Sequence, residues 1–159
     1  MENSTSNALC VNLTNLGSRP TGAGQYGHFC ATVVAEEFDA RVVRTPSWVT
    51  RLPHPLSSIG MALHSMVGFA GIRSTVYNPT HRVVPGRAGQ IVTVLDLIPM
   101  HHPHQHPLQT RYFETVLRRA IVRCHGVVVL SETLRREVVE QFGVAPGRVV
   151  VVAPGIDTD

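Results

Sequence analysis

Short apolar runs rich in Val and Ile alternate with helix-forming segments along this 159-residue chain. The run at 126–130 is continuously apolar and the run at 90–95 is strongly β-branched, and neither alternates apolar with polar residues. Strands of that kind are buried on both faces, and intervening helices allow successive strands to run parallel. The sequence therefore predicts an α/β fold: a doubly wound, mostly parallel six-stranded sheet with helices on both faces. One domain, 1–159, is expected, since a chain of this length buries roughly two-thirds of its unfolded surface.

The other elements are predicted from periodicity and from residues that begin and end helices. The predicted strands are 8–13, 40–45, 74–77, 90–95, 126–130 and 148–152. The predicted helices are one that begins near Gly27 and reaches Phe38, and three more at about 57–70, 108–123 and 132–142. The first helix is expected to lay one apolar face on the sheet, formed by Tyr26, Phe29, Cys30, Val33, Val34 and Phe38.

The helix at 57–70 is apolar nearly all the way round, with Ser57 or Ser58 as its cap and Gly71 just past its end. A helix of that composition is either buried in the fold or covered by a binding partner. It is predicted to be a core helix or a lid over the sheet edge, and contact with a membrane or an acceptor is the alternative.

The candidate site residues all follow predicted strands. Doubly wound sheets bind ligands outside the carboxyl ends of their strands, near the point where strand order reverses. Strand 8–13 leads into a glycine-rich loop and a helix start, where unpaired N–H groups and the positive end of the dipole suit a phosphate or sugar phosphate. The residues expected to converge at this edge are Gly22, Ala23, Gly24, Gln25, Asn78, His81, Asp96, His101, Ser131 and Glu132.

Two of these positions have alternative structural interpretations. Asp96 is expected either to orient an acceptor hydroxyl or simply to cap the end of its strand. Ser131 is more often a helix cap than a ligand, although its helix start could serve both purposes.

The charge distribution limits the classes of partner. The net charge is +3, and Arg111, Arg118, Arg119 and Arg123 fall in one predicted helix, where a solvated outer face explains them. Loose contact with an anionic membrane is the alternative, whereas nucleic-acid binding would need a denser basic stripe with stacking aromatics. The N-terminus lacks the features of a signal peptide, so a cytoplasmic protein is expected, with peripheral contact at the inner membrane face as an option.

Two patterns in the sequence suggest other kinds of site, one for a dinucleotide and one for a metal ion. Gly22, Gly24 and Gly27 match the spacing of a dinucleotide fingerprint, but the loop is about twice the length which that fingerprint needs, and Thr45 and Pro46 stand where an acidic residue belongs. The cluster of His101, His102, His104 and His106 suggests zinc or nickel, but histidines set between prolines rarely converge on one ion. Neither a metal nor a cofactor is expected.

Several segments, in order, resemble the retaining glycosyltransferases of family 4. The chain is similar to that family at the glycine loop, at the third-strand exit, at the strand ending in Asp96, at the strand leading into a Ser-Glu helix start and at the final strand and turn. The matching segments are 19–26, 77–81, 91–99, 127–137 and 149–157.

The resemblance implies a Rossmann-like fold that forms the N-terminal, acceptor-side half of the two-domain GT-B architecture. It also implies that Asp96 and His81 lie at the reacting centre and that Gly22 and Gly24 close over the donor phosphates. Leu95 departs from the family, which often has His at this position, and Leu cannot form a hydrogen bond there.

The family's second domain binds the sugar nucleotide, and residues 1–159 do not contain its basic residues and glutamate. We therefore expect the chain alone to be inactive in transfer between a nucleotide sugar and a saccharide or lipid-linked acceptor. A non-catalytic subunit that pairs with a separate C-terminal-domain subunit is the alternative.

Overall fold

The computed structural model describes residues 9–14, 16, 21–53 and 56–155, with the side chain of Ser58 left aside. The strands are β1 Leu9–Leu13, β2 Arg41–Arg44, β3 Thr75–Asn78, β4 Gln90–Val94, β5 Gly126–Val129 and β6 Val149–Val151. The α-helices are α1 Gly22–Phe38, α2 Ser47–Thr50, α3 Leu56–Gly68, α4 Ile98–His101, α5 Pro107–Tyr112, α6 Arg118–Arg123 and α7 Glu132–Phe142. A π-helical turn, Phe113–Leu117, joins α5 to α6, and a short 3-10 helix, Pro146–Arg148, precedes β6.

The six strands form one sheet in the order β2-β1-β3-β4-β5-β6, and every neighbouring pair is parallel. This confirms the predicted doubly wound sheet. The chain moves from β1 to β2 in one direction and then returns across β1 to β3, so the strand order reverses between β1 and β3. In such sheets the ligand crevice lies at the carboxyl ends of those strands.

Most of the core lies on one face of the sheet. Phe113, Leu117 and Ile121, which are wholly buried, pack with strand residues such as Val92 and Val127. The predicted helix at 108–123 is therefore present in position and in buried face, although its middle turn is π-helical rather than α-helical. On the same face, Phe69, just past α3, packs in a smaller cluster of buried residues with Cys10 of β1, Val43 of β2 and Val76 of β3.

The opposite face is covered less completely than the sequence suggested. Ala31 of α1 packs with Val11 and Leu13 of β1, but Phe29 and Phe38 are 68% and 66% exposed. The predicted apolar face of α1 is therefore only partly buried, because the helix crosses β1 and β2 and no helix among the described residues lies beside the next strands on that face. An open apolar groove of about 560 Å³ runs from α1 across these strands.

Helix ends follow local chemistry. Ser131 caps α7 by accepting a hydrogen bond from the Leu134 N–H at 3.2 Å, and Gly143 ends that helix with φ of 69°. Both were predicted. The start of α3 was not predicted correctly: the helix begins at Leu56, so Ser57 lies inside its first turn.

Candidate functional site

The N-terminus of α1 lies at the point where the strand order reverses. The helix begins at Gly22, not after Gly27 as predicted, because Thr21 caps it: the Thr21 hydroxyl accepts from the Gly24 N–H at 3.0 Å. Gly22, Ala23, Gly24 and Gln25 therefore form the first turn of a helix instead of a preceding loop. Their N–H groups are those that a helix leaves without intrahelical partners, apart from the bonds made to Thr21.

Gly27, which is buried in α1, is the glycine required by packing. A methyl group at this position would lie 2.9 Å from Cδ1 of Leu16 and 3.3 Å from Cγ2 of Thr80. The helix start therefore contacts the segment that follows β3, which brings two candidate segments together. The sequence signal for this close packing is the glycine itself, which lies one turn inside the helix, past Gly22 and Gly24.

Asn78, at the end of β3, is fully buried in a hydrogen-bonded network. Its Oδ1 accepts from Nδ2 of Asn12 at 2.8 Å, and its Nδ2 donates at 3.1 Å both to Oε1 of Gln90 and to the carbonyl of Ile91. Asn12 also accepts from the hydroxyl of Thr14 at 2.7 Å. This network fixes the carboxyl ends of β1 and β3 relative to β4, so Asn78 holds the segments that carry the candidate site in position.

His81 is 8% exposed and packs on the ring of Phe113, with ring centroids 4.9 Å apart. Burial lowers the pKa of His81 from 6.5 to about 4, and the neighbouring Arg82 guanidinium adds to this effect. Its Nδ1 is buried and has no hydrogen-bond partner among the described residues. The imidazole is therefore neutral at pH 7.

The backbone around His81 is held by Tyr112. The Tyr112 hydroxyl donates to the carbonyl of His81 at 3.1 Å and accepts from the N–H of Val83 at 3.0 Å. The guanidinium of Arg82 also lies over the Tyr112 ring, 5.3 Å from its centroid. No sequence motif pointed to Tyr112, because its role depends on a contact between distant segments.

Asp96, two residues past β4, is partly buried, and its Oδ1 accepts from the Ile98 N–H at 3.1 Å. Its negative charge raises the pKa of His81, against the larger effect of burial. The structure thus brings the two predicted catalytic residues into the same electrostatic environment. The bond to Ile98 also shows the structural role that was expected as the alternative.

The remaining predicted residues are engaged further along the same edge. Nε2 of His101 lies 3.4 Å from Oε2 of Glu137, which links α4 to α7. Ser131 caps α7, and the Glu132 carboxylate contacts Arg135 at 3.4 Å along the same helix. These residues keep a local bonding partner in the structure, in contrast to His81.

Within the described part of the chain, no three His, Cys, Asp or Glu residues are arranged to hold a metal ion. The residues His101 to His106 occupy α4 and the turn that follows it. None of the described helices is both long and apolar enough to cross a membrane. Arg19, Pro20, Ile156 and Asp157, which belong to the family-like segments, lie outside the described residues.

Two comparisons with known proteins show what this chain resembles. The model of the family described as Glycosyltransferase Family 4 matches residues 31–159. The O-antigen chain mannosyltransferase RfbU of Salmonella typhimurium is 26% identical over 172 aligned positions, which cover 91% of this chain and 48% of that protein. The chain therefore spans about half the length of this relative.

Proposed function

Because the chain belongs to glycosyltransferase family 4, we propose that it forms the acceptor-side half of a hexosyltransferase. The reaction would move a hexosyl group from a nucleotide sugar to a saccharide or lipid-linked acceptor. The observation that carries this proposal is the convergence of the α1 start, His81 and Asp96 at the reversal of strand order, in a chain that matches the family over most of its length.

The start of α1 supplies the groups for the donor phosphates. N–H groups of Gly22 and Ala23 point along a helix axis whose first turn contains no acidic residue. The departing diphosphate gains negative charge in the transition state, and fixed N–H dipoles in a closed cleft stabilise that charge. No covalent role is assigned to this helix start.

Asp96 and His81 are proposed to act at the acceptor. A carboxylate that is partly buried can accept a hydrogen bond from a sugar hydroxyl and orient its oxygen for attack. The neutral imidazole of His81 can donate to or accept from a sugar hydroxyl, whereas a charged imidazolium can only donate. His101, Ser131 and Glu132 would complete the wall of the cleft.

Residues 1–159 alone are proposed to transfer no sugar. The sugar nucleotide would be bound by a C-terminal domain, whether it belongs to the same polypeptide or to a separate subunit. A non-catalytic role in such a two-subunit assembly is the second proposal. Since the relative is a mannosyltransferase, a nucleotide-activated mannose is the first donor to test, and we place the protein in polysaccharide biosynthesis, in the cytoplasm and at the inner face of a membrane.

The test compares sugar transfer by the 159-residue chain with transfer by the same chain joined to a donor-binding domain of family 4. A panel of nucleotide sugars and saccharide acceptors is used, and product is measured by mass. We expect no product from the chain alone and transfer from the completed protein. Turnover by the chain alone would contradict the proposed division of labour, and a completed, folded protein inactive on the whole panel would contradict the proposed reaction.

A further inference from the structure

Helix α3 exposes five of its large apolar residues, while Gly60, Ser65 and Gly68 lie against the rest of the protein. Leu56, Ile59, Leu63, Met66 and Val67 are 53–73% exposed: 56%, 54%, 59%, 53% and 73% in turn. Their spacing of three, four, three and one places them in one stripe along the helix. Every exposed residue of α3 with a described side chain is apolar.

The inner side of α3 explains this arrangement. A methyl group at Gly60 would lie 2.7 Å from Cγ1 of Val49, and one at Gly68 would lie 3.3 Å from Cγ1 of Val43. Ser65, between them, is fully buried. Small residues thus let α3 approach α2 and the sheet closely, and the bulky stripe cannot turn inward without losing that packing.

The apolar surface continues onto α2. Trp48 is 68% exposed and Leu52, just past α2, is 38% exposed, and α2 packs against α3. We call Trp48, Leu52 and the five stripe residues of α3 the α2–α3 surface. An indole at the border of an apolar surface is typical of elements that lie at the interface between water and lipid.

The chain segment that forms the α2–α3 surface carries charge of one sign. Between Asp39 and Asp96 the sequence contains six arginines and no Asp or Glu. Arg87 donates to the carbonyl of Phe69, at the end of α3, at 3.3 Å, and Arg82 lines a cavity together with Ala62 of α3.

A second basic region adjoins this one. Arg87, Arg119 and Arg123 line an open cavity of about 360 Å³, whose other lining residues are uncharged. The helix that was interpreted from the sequence as a solvated basic face therefore extends the positive field beside α3.

We propose that the α2–α3 surface docks on a bilayer that contains anionic lipids, with the stripe at the level of the acyl chains and the arginines against lipid phosphates. This deepens and rests on the membrane contact of the proposed function, but it does not depend on the transfer reaction. An apolar helix face beside basic residues binds anionic membranes by both apolar burial and electrostatic attraction. A second copy of the chain would place the two cationic surroundings against each other, which disfavours self-association.

The experiment uses the chain's single tryptophan, Trp48, as a reporter. Vesicles of phosphatidylcholine alone and of phosphatidylcholine with phosphatidylglycerol are titrated without any sugar substrate, and binding is also measured by sedimentation. We expect a blue shift of Trp48 emission and binding to the anionic vesicles, weakened by salt. The double variant Leu63→Ser with Met66→Ser should bind at least about tenfold more weakly, because two large apolar groups no longer enter the lipid.

Phe29→Ser provides the matched control, since Phe29 has the same exposure as Trp48 but lies on α1, on the other face of the sheet. This variant should bind vesicles like the unaltered chain. Arg82→Gln with Arg119→Gln, two exposed arginines of the basic regions beside α3, should weaken binding to anionic vesicles only.

Three results would overturn the proposal: no anionic vesicle binding by the folded chain, equal binding by the Leu63/Met66 variant, or concentration-dependent self-association that the same variant abolishes. Because no donor or acceptor is present, none of these results bears on sugar transfer.

Discussion

His81 should make the stability of this protein depend on pH between about 7 and 4. Burial lowers its pKa from 6.5 to about 4 in the folded chain, so the unfolded chain takes up a proton first as the pH falls. The contribution to stability is complete above pH 6.5 and is lost progressively as the pH falls toward 4. Between pH 7.5 and 5.0, these two values correspond to a loss of about 2 kcal/mol in the free energy of unfolding.

Urea unfolding followed by circular dichroism at pH 7.5 and 5.0 measures this loss. His81→Gln removes the titrating group, so this variant should lose about 2 kcal/mol less than the unaltered chain over the same interval. The variant will be less stable at pH 7.5, because the contact with Phe113 changes. The test therefore compares, for each protein, the change in the free energy of unfolding between pH 7.5 and 5.0. His104→Gln is the control, since His104 is exposed in the folded chain and should leave the loss unchanged.

The reasoning would be refuted if the unaltered chain and His81→Gln lost equal stability between the two pH values. An independent check is the nitrogen chemical shift of the His81 ring, which should titrate near pH 4. A midpoint near 6.5 would show that the imidazole is not buried as described.

Two further predictions concern packing. Gly27→Ala should lower the free energy of unfolding by roughly 1–3 kcal/mol, because the added methyl would lie 2.9 Å from Leu16. Gly22→Ala is the control and should leave the free energy of unfolding unchanged, because nothing lies within 4 Å of the added methyl. Equal effects of the two changes in urea unfolding would contradict the packing of α1 on the segment after β3. Phe113→Ala should cost roughly 3–5 kcal/mol, since this ring is wholly buried between the sheet and His81, and a loss below about 1 kcal/mol would argue against the π-helical turn being part of the core.

The sheet could be predicted because its information is local. Each run of Val and Ile, such as 126–130, marks a strand, and the helices between them leave parallel pairing as the simple solution. Strand ends were accurate to about one or two residues, which is the usual uncertainty of element boundaries. The capping of α7 by Ser131 and its end at Gly143 were likewise readable from adjacent residues.

The incorrect predictions concern residues whose conformation or burial depends on contacts with segments distant in the sequence. Gly22 and Gly24 have low helix propensity, but the cap by Thr21 and the packing at Gly27 favour the helix over a loop. Phe29 and Phe38 have the spacing of a buried face, yet in the described part of the chain no helix lies beside α1 to cover them. A periodic pattern shows that a face is apolar, and it does not identify what lies against it.

The candidate site is predicted from the sequence at the level of segments rather than of contacts. Asn78 and Asp96 were selected because they follow predicted strands, but the buried hydrogen-bond network of Asn78 depends on the register of β3 against β4, which a sequence does not show. The pKa of His81 is lowered mainly by burial, and one of the groups packed on its ring is Phe113, more than thirty positions away in the sequence. Tyr112 was missed for the same reason.

The most direct test of the central claim is the turnover number of the completed, two-domain protein with and without the Asp96 carboxylate. Asp96→Asn keeps the size of the side chain and its acceptor for the Ile98 N–H, so folding should be unaffected. We expect kcat to fall at least about tenfold, as for a group that orients a reacting hydroxyl, while Glu140→Gln, an exposed change on α7, leaves kcat as it was. A folded Asp96→Asn protein with kcat within about twofold of the unaltered enzyme would contradict the placement of the reacting centre at this edge of the sheet.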